Sequence, residues 1–387
     1  MQYLQHILLA LMALSSDVFA TPTPKNTLTI PISKKRDVFT LPDSQVIDFN
    51  AVSSHINQVK DKYQATMASY KANTGTTHSL EVAIPIKKRA TGSVPLTDVQ
   101  NSLWHGAITL GSQTPQCDFD TGSADIIIQP EAYTPGSTAT NTGKTFSASY
   151  GDGTMASGTV YKDTIKIGGL TASGASIGRS TSDFLSSSEG DSGICGMSYP
   201  SISVLGSGST PFFDALINAG KVTSHVFTFT LTSSGSTLYL GGVDPKAGTP
   251  SYTPISQQGY WQVSNSAING ITTSSIVDTG TSLIVAPTSY AQSLFTKLGL
   301  STFTQSGTLY GYYNCNSPPT VTYKFNTFSQ KLSASTLTIG TTNTGACVLS
   351  VVGEDIGINA VIAGDSFLQN VHAVFDRTNN RVGFTSQ

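Results

Sequence analysis

Phe119-Asp120-Thr121-Gly122-Ser123 and Val277-Asp278-Thr279-Gly280-Thr281 are one pattern written twice, 158 residues apart. Each copy follows apolar residues, so each Asp stands where an extended segment runs into a glycine turn. Each is echoed further on by an apolar pair closed by glycine. Ile194-Cys195-Gly196 ends 76 residues after Asp120, and Ile362-Ala363-Gly364 ends 86 residues after Asp278. A lone Asp-Thr-Gly is a common turn. Two copies in parallel surroundings indicate an internal duplication that sets one carboxylate in each half.

The rest of the chain suits a β-rich duplicated protein. Its 387 residues are enough for two or three domains. Only 11% are charged, against a usual figure of about 25%, and 38% are apolar. That balance fills a core and argues against disorder. Lys+Arg total 21 against 23 Asp+Glu, so no dominant basic face exists to bind nucleic acid. Four cysteines are too few for a disulfide-framework miniprotein. From residue 90 onward, short strands alternate with Gly, Ser, Asn and Pro turns. Strands are expected at 159–170, 226–231 and 237–240. Short helices are expected at 211–219 and 287–298, stopped by Gly220 and Gly299.

The N-terminal region differs. Residues 1–20 read as a secretory signal: 7–14 are apolar, and Val18-Phe19-Ala20 offers small residues for cleavage. That run is too short to span a bilayer. Residues 21–89 hold ten Lys/Arg and five Asp/Glu; residues 90–387 hold eleven and seventeen. The basic part ends at Lys87-Lys88-Arg89, a candidate processing site, with Lys34-Lys35-Arg36 as a second. The reading is a removable activation pro-segment held by opposite charge, whose grip fades below about pH 4 as carboxylates protonate. The alternative is an ordinary solvated surface.

Residues 90–387 resemble the pepsin-like aspartic peptidases, especially secreted fungal ones. Beyond the two Asp motifs, the resemblance rests on Ser149-Tyr150-Gly151-Asp152-Gly153, Gly193-Ile194-Cys195-Gly196-Met197-Ser198-Tyr199-Pro200 and Gly241-Gly242-Val243-Asp244. It rests also on Gly259-Tyr260-Trp261-Gln262, Val374-Phe375-Asp376-Arg377 and Asn379-Asn380-Arg381-Val382-Gly383. It implies an all-β, bilobal fold, with lobes at 90–245 and 246–387 flanking a cleft. It implies a secreted, extracellular monomer, with the vacuole as an alternative compartment. Its partners would be polypeptide substrates and its own pro-segment, without cofactor, metal, nucleic acid or membrane. The scattered His105, His225 and His372 likewise offer no metal set or His-based triad.

The chemistry expected of Asp120 and Asp278 follows from charge. Two carboxylates about 4 Å apart repel by roughly 4 kcal/mol at an effective dielectric near 20, about three pK units. The pair therefore keeps one proton through a broad acidic window, as such peptidase dyads do. The ionised carboxyl can deprotonate a water held between them, and the protonated one can donate to the scissile carbonyl. The rival reading is a pepsin-like binding protein or inhibitor without catalysis.

The resemblance assigns supporting roles. Thr121 and Thr279 belong to the dyad turns. Gly122 and Gly280 would let the backbone turn tightly and bring N–H groups to the carboxylates. Ser123 and Thr281 would orient the outer carboxylate oxygens. Tyr150 and Gly151 would sit on a hairpin flap over the cleft. Asp152 on that flap, and Asp118 on the same side of the strand as Asp120, would make the first pocket accept Lys as well as bulky apolar residues. Alternatively, Asp118 is a buried structural group and Asp152 a solvated loop tip.

Two departures stand out. Ile127 occupies the position where many members carry a Trp bonded to the flap Tyr, and the Asp120–Tyr150 interval is only 30 residues. A mobile flap is expected. Cys315 and Cys347, 32 residues apart, match the family's C-lobe disulfide. Cys117 and Cys195 lie on strands expected to be neighbours, where a second bridge and two buried thiols are both open. No Asn-x-Ser/Thr sequon occurs, and no apolar C-terminal tail marks a lipid anchor.

Overall fold

The computed structural model describes residues 27–34, 39–82, 104–149, 155–185 and 192–387. The signal at 1–20, the basic site at 87–89, most of that at 34–36 and the flap residues Tyr150, Gly151 and Asp152 lie outside them.

Three sheets carry the fold. A nine-stranded sheet is built from strands between Ser33 and Gly196, and a ten-stranded sheet from strands between Gln262 and Ala363. The third, six-stranded, draws on distant stretches in the order Leu28–Pro31, Thr237–Leu240, Val226–Thr230, Val371–Asp376, Arg381–Ser386, Ser251–Pro254. All its pairings are antiparallel. Phe227, Phe229, Trp261 and Phe375 pack ring against ring beneath it.

The duplication is visible in strand order. The strand Gln116–Asp120 pairs in parallel with Gly193–Gly196, which pairs antiparallel with Ile126–Ile128. In the second half Ile271–Val277 pairs in parallel with Val361–Ala363, which pairs antiparallel with Ile284–Ala286. The glycines that end the two apolar echoes are required by crowding. A Cβ on Gly196 would lie 2.3 Å from the Asp125 nitrogen, and one on Gly364 would lie 2.1 Å from the Thr281 carbonyl oxygen. Each Ile-x-Gly strand therefore passes directly under an Asp turn.

Both expected helices form, at Phe212–Asn218 and Thr288–Leu298. The longest helix was not anticipated: α1, Phe49–Thr74, 26 residues inside the basic segment. The Asp48 side chain caps it by accepting from the Asn50 and Ala51 N–H groups, and Gly75 closes it at φ 76°. Its buried stripe (Val52, Ile56, Val59, Tyr63, Met67, Tyr70) recurs every three or four residues. The stripe shares one apolar cluster with Leu283, Val285, Tyr310, Val352 and Ile358. At its start Phe49 packs on Phe303 and Tyr310; at its end Asn73 donates to the Ser201 and Ser203 carbonyls. The helix thus bridges both halves of the molecule. Lys60 and Lys62 tie it by charge to acidic groups on the rest of the molecule. Most of its hold is apolar burial.

Candidate active site

The two Asp turns face each other and are stitched across the pseudo-twofold. The Thr121 N–H donates to Thr279 Oγ1 and the Thr279 N–H to Thr121 Oγ1, each at 3.0 Å. The hydroxyls then donate onward, Thr121 to the Val277 carbonyl (2.9 Å) and Thr279 to the Phe119 carbonyl (2.6 Å). Each Thr thereby fixes the strand that delivers the opposite Asp.

The carboxylates are held alike on one side. The Gly122 N–H donates to Asp120 Oδ1 (2.8 Å) and the Gly280 N–H to Asp278 Oδ1 (2.9 Å). Neither glycine has positive φ. Their reason is close approach: a Cβ on Gly122 would lie 2.5 Å from Asp278 Oδ1, and one on Gly280 would lie 2.1 Å from Asp120 Oδ1. On the outer side symmetry fails. Thr281 Oγ1 donates to Asp278 Oδ2 at 2.7 Å. Ser123 faces Asp120 and favours its ionised form, but its buried hydroxyl makes no well-formed hydrogen bond.

Helix α1 completes the site. Lys62 Nζ donates to Asp278 Oδ2 (2.9 Å), Asp120 Oδ1 (3.2 Å) and the Gly280 carbonyl (3.2 Å), which uses all three of its protons. The Tyr63 hydroxyl donates to Asp278 Oδ2 (2.9 Å). Burial opposes the Lys62 charge, but the two carboxylates outweigh it and keep the amine protonated. Burial pushes Asp120 up to about 6, against the pull of Lys62 and helped by the charge on Asp278. Burial also opposes the charge on Asp278. There Lys62 and hydrogen bonds from Asp120, Lys62 and Thr281 prevail and hold it at about 2.

His55 Nε2 accepts from the Ser282 N–H at 3.1 Å. Burial, then the Lys62 charge, lower that imidazole to about 3, so it is neutral. Thr66 and Tyr260 share a 2.6 Å hydroxyl contact that ties α1 to the Gly259-Tyr260-Trp261 stretch.

A small recess opens beside Asp120. Ile127, Ala148, Ile194 and Val204 wall it, Ser123 and Asp125 add polar edges, and Ala65 and Thr66 of α1 close it. Ile127 packs with Phe146, Val160, Phe184 and Leu205. Asp118 does not line this recess. It lies in mid-strand at 1% exposure, opposite His105 and Ile194. Asp125 is the carboxylate at the wall. It accepts from the Ser203 hydroxyl and, at 2.7 Å, the Val204 N–H, while burial pushes it up to about 6.

Cys315 and Cys347 form a disulfide. Cys117 and Cys195 do not; both are buried thiols, so no second bridge exists. Their strands do pair, but Cys195 stands opposite Phe119 and Cys117 opposite Gly193. That two-residue offset sets the Cα atoms about 8 Å apart, beyond disulfide reach.

The motif residues of the two turns were legible in the sequence. Lys62, Tyr63 and His55 were not, although the helical period and the Asp48 and Gly75 caps could have placed a helix there. Among the described residues no helix is long and apolar enough to cross a membrane.

Comparison with known proteins agrees with this geometry. The profile of a family described as eukaryotic aspartyl protease matches residues 104–387. Secreted aspartyl protease 1 of Malassezia globosa is 36% identical over 375 residues, 94% of this chain and 93% of the relative. An aspartic protease of Phaffia rhodozyma is 37% identical over 397 residues, covering 95% and 93%. Pepsin A of Sus scrofa is 31% identical over 365 residues, covering 84% and 91%. With paired Asp-Thr-Gly turns on a duplicated β framework, the chain belongs to the eukaryotic aspartyl protease family and is an aspartic endopeptidase of the pepsin type.

Proposed function

We propose that residues 21–89 are an activation pro-segment. Its release would free an acid-active enzyme in which Asp120 and Asp278 share one proton and activate a water against a peptide bond. The observation that carries this is Lys62, whose single ammonium reaches both carboxylates. Lys62 occupies the space between the carboxylates where the attacking water would sit, and its ammonium ties up oxygens of both, so the chain is silent while α1 is docked. Without Lys62, like charge forces one carboxyl to protonate. The ionised partner then takes a proton from water as the water oxygen attacks the carbonyl carbon. The protonated partner donates to the carbonyl oxygen. Collapse of the tetrahedral intermediate breaks the C–N bond, with the proton passed to the leaving amine.

Residues 90–245 and 246–387 would form the two lobes. Tyr150 and Gly151 would cap the cleft as a flap, joined to the strands Thr140–Ser149 and Met155–Ile167. The apolar recess supports a preference for bulky apolar residues before the cut. Acceptance of Lys there rests on Asp152, since Asp118 is not at the wall. Secretion is supported by the N-terminal apolar stretch, the disulfide and the printed name of the Malassezia relative.

The test is acid-dependent hydrolysis of a denatured protein after removal of residues 21–89. Asp120→Asn and Asp278→Asn should each lower it by roughly 10³-fold or more, and a statine-type peptide should block it. No cleavage at any pH would favour the non-catalytic binding protein instead.

A further inference from the structure

Helix α1 also marks a second charged position in the cleft. Lys60 and Lys62 are two residues apart, so they leave the helix on sides about 160° apart. They border opposite edges of the buried stripe. Lys62 goes to the carboxylate pair; Lys60 Nζ goes to Glu354 Oε1 at 3.5 Å. Glu354 is not a loose surface acid. Its other oxygen accepts from Thr308 Oγ1 at 3.1 Å, and its N–H donates to the Ala286 carbonyl at 2.9 Å. Ala286 ends the strand that follows the Asp278 turn and pairs with Gly353. Glu354 is therefore fixed to the same framework as Asp278.

We propose that Glu354 is a specificity residue that selects a Lys or Arg side chain of the polypeptide substrate. This rests on the reading that the cleft vacated by α1 is where substrate lies. Loss of α1 removes the cation that Glu354 holds, while Thr308 and the Ala286 contact keep the carboxylate aimed at the same place. An amine on an incoming peptide would replace Lys60 there. The width of a helix sets Glu354 on the order of 10 Å from the carboxylate pair. An extended peptide advances about 3.3 Å per residue, so the selected residue stands within about three or four positions of the cut. Long basic side chains suit the site because their stems can lie along the neighbouring apolar wall while the charge reaches the carboxylate. This position is distinct from the recess beside Asp120, which lies against Ala65 and Thr66 on another part of the helix.

The experiment uses the acid-activated full-length product and a peptide library with one randomised position at a time, assayed at pH 5.5 with cut sites mapped by mass spectrometry. The expected result is enrichment of Lys and Arg over Gln by about three- to fivefold at one fixed position. In Glu354→Gln that ratio should fall to about one, and in Glu354→Lys it should invert in favour of Asp and Glu. Cleavage without positional enrichment, or enrichment unchanged in Glu354→Gln, overturns the role of Glu354 and leaves the peptidase reading intact. Absence of any cleavage by the wild type overturns that reading, and this inference with it.

Discussion

Gly280 has no room for a side chain, because its α-carbon sits against the carboxylate of the other half. Gly280→Ala is expected to cost about 2–3 kcal/mol of stability by overpacking and to lower peptidase activity at least tenfold by displacing Asp120. Urea unfolding and an acid peptide assay check the two effects separately. The outer oxygens offer a finer test. Thr281 stabilises the ionised form of Asp278 through a well-formed hydrogen bond, whereas Ser123 makes none to Asp120. Thr281→Ala should therefore raise the acid limb of the kcat/KM profile of the mature enzyme, and Ser123→Ala should move it less. A pH profile of both variants decides this; equal shifts would count against it. At this scale the sequence was informative, because the reacting residues lie in compact motifs whose neighbours in sequence are neighbours in space. The cross-bonds of Thr121 and Thr279, the wall role of Asp125 and the buried setting of Asp118 depend on strands far off in the chain, so residue spacing did not reveal them.

On the pro-segment reading proposed above, α1 would be the element that governs regulation, and its titration has a definite sign. Free in solution an imidazole titrates near 6.5; docked, His55 is held at about 3 and His78, by burial, at about 4. Between those values the undocked segment binds more protons. Docking is thus at full strength above about pH 6.5 and weakens as pH falls, by roughly 1.4 kcal/mol per pH unit for each histidine. Asp278, held at about 2, adds a contribution lost only toward the lowest pH. His55→Gln keeps an acceptor for the Ser282 N–H but does not titrate, so the pH at which the segment is released should fall. Following the cut product by mass spectrometry across pH measures this, and an unchanged midpoint would exclude His55 as a contributor. Lys62→Ala leaves two buried carboxylates without their cation, and release should then occur at less acid pH. The helix itself was legible in its caps and its three-to-four period. His55 and Thr66 interrupt its apolar stripe, and the rest of the chain reads as strand, which masks the helical period.

Over the whole molecule, the disulfide and the two thiols give a direct count. Denatured, unreduced protein should titrate two thiols, and reduction should raise that to four. Removing the Cys315–Cys347 bridge should cost about 3–4 kcal/mol on the chain-entropy account for a loop of this length. The bridge was implied by resemblance, but the thiols could be settled only by strand register, which composition does not encode. The six-stranded sheet was equally hidden, since it joins Leu28–Pro31 to Thr237–Leu240 and to the C-terminal strands.

The reciprocal threonine clasp has a further consequence for how such a chain is made. Each turn is completed by partners 158 positions away, and contacts so remote in sequence close late in folding. Nascent or half-assembled molecules consequently hold two inert aspartates and no peptidase. By this topology the reactive pair is assembled only when both halves of the chain have folded against each other.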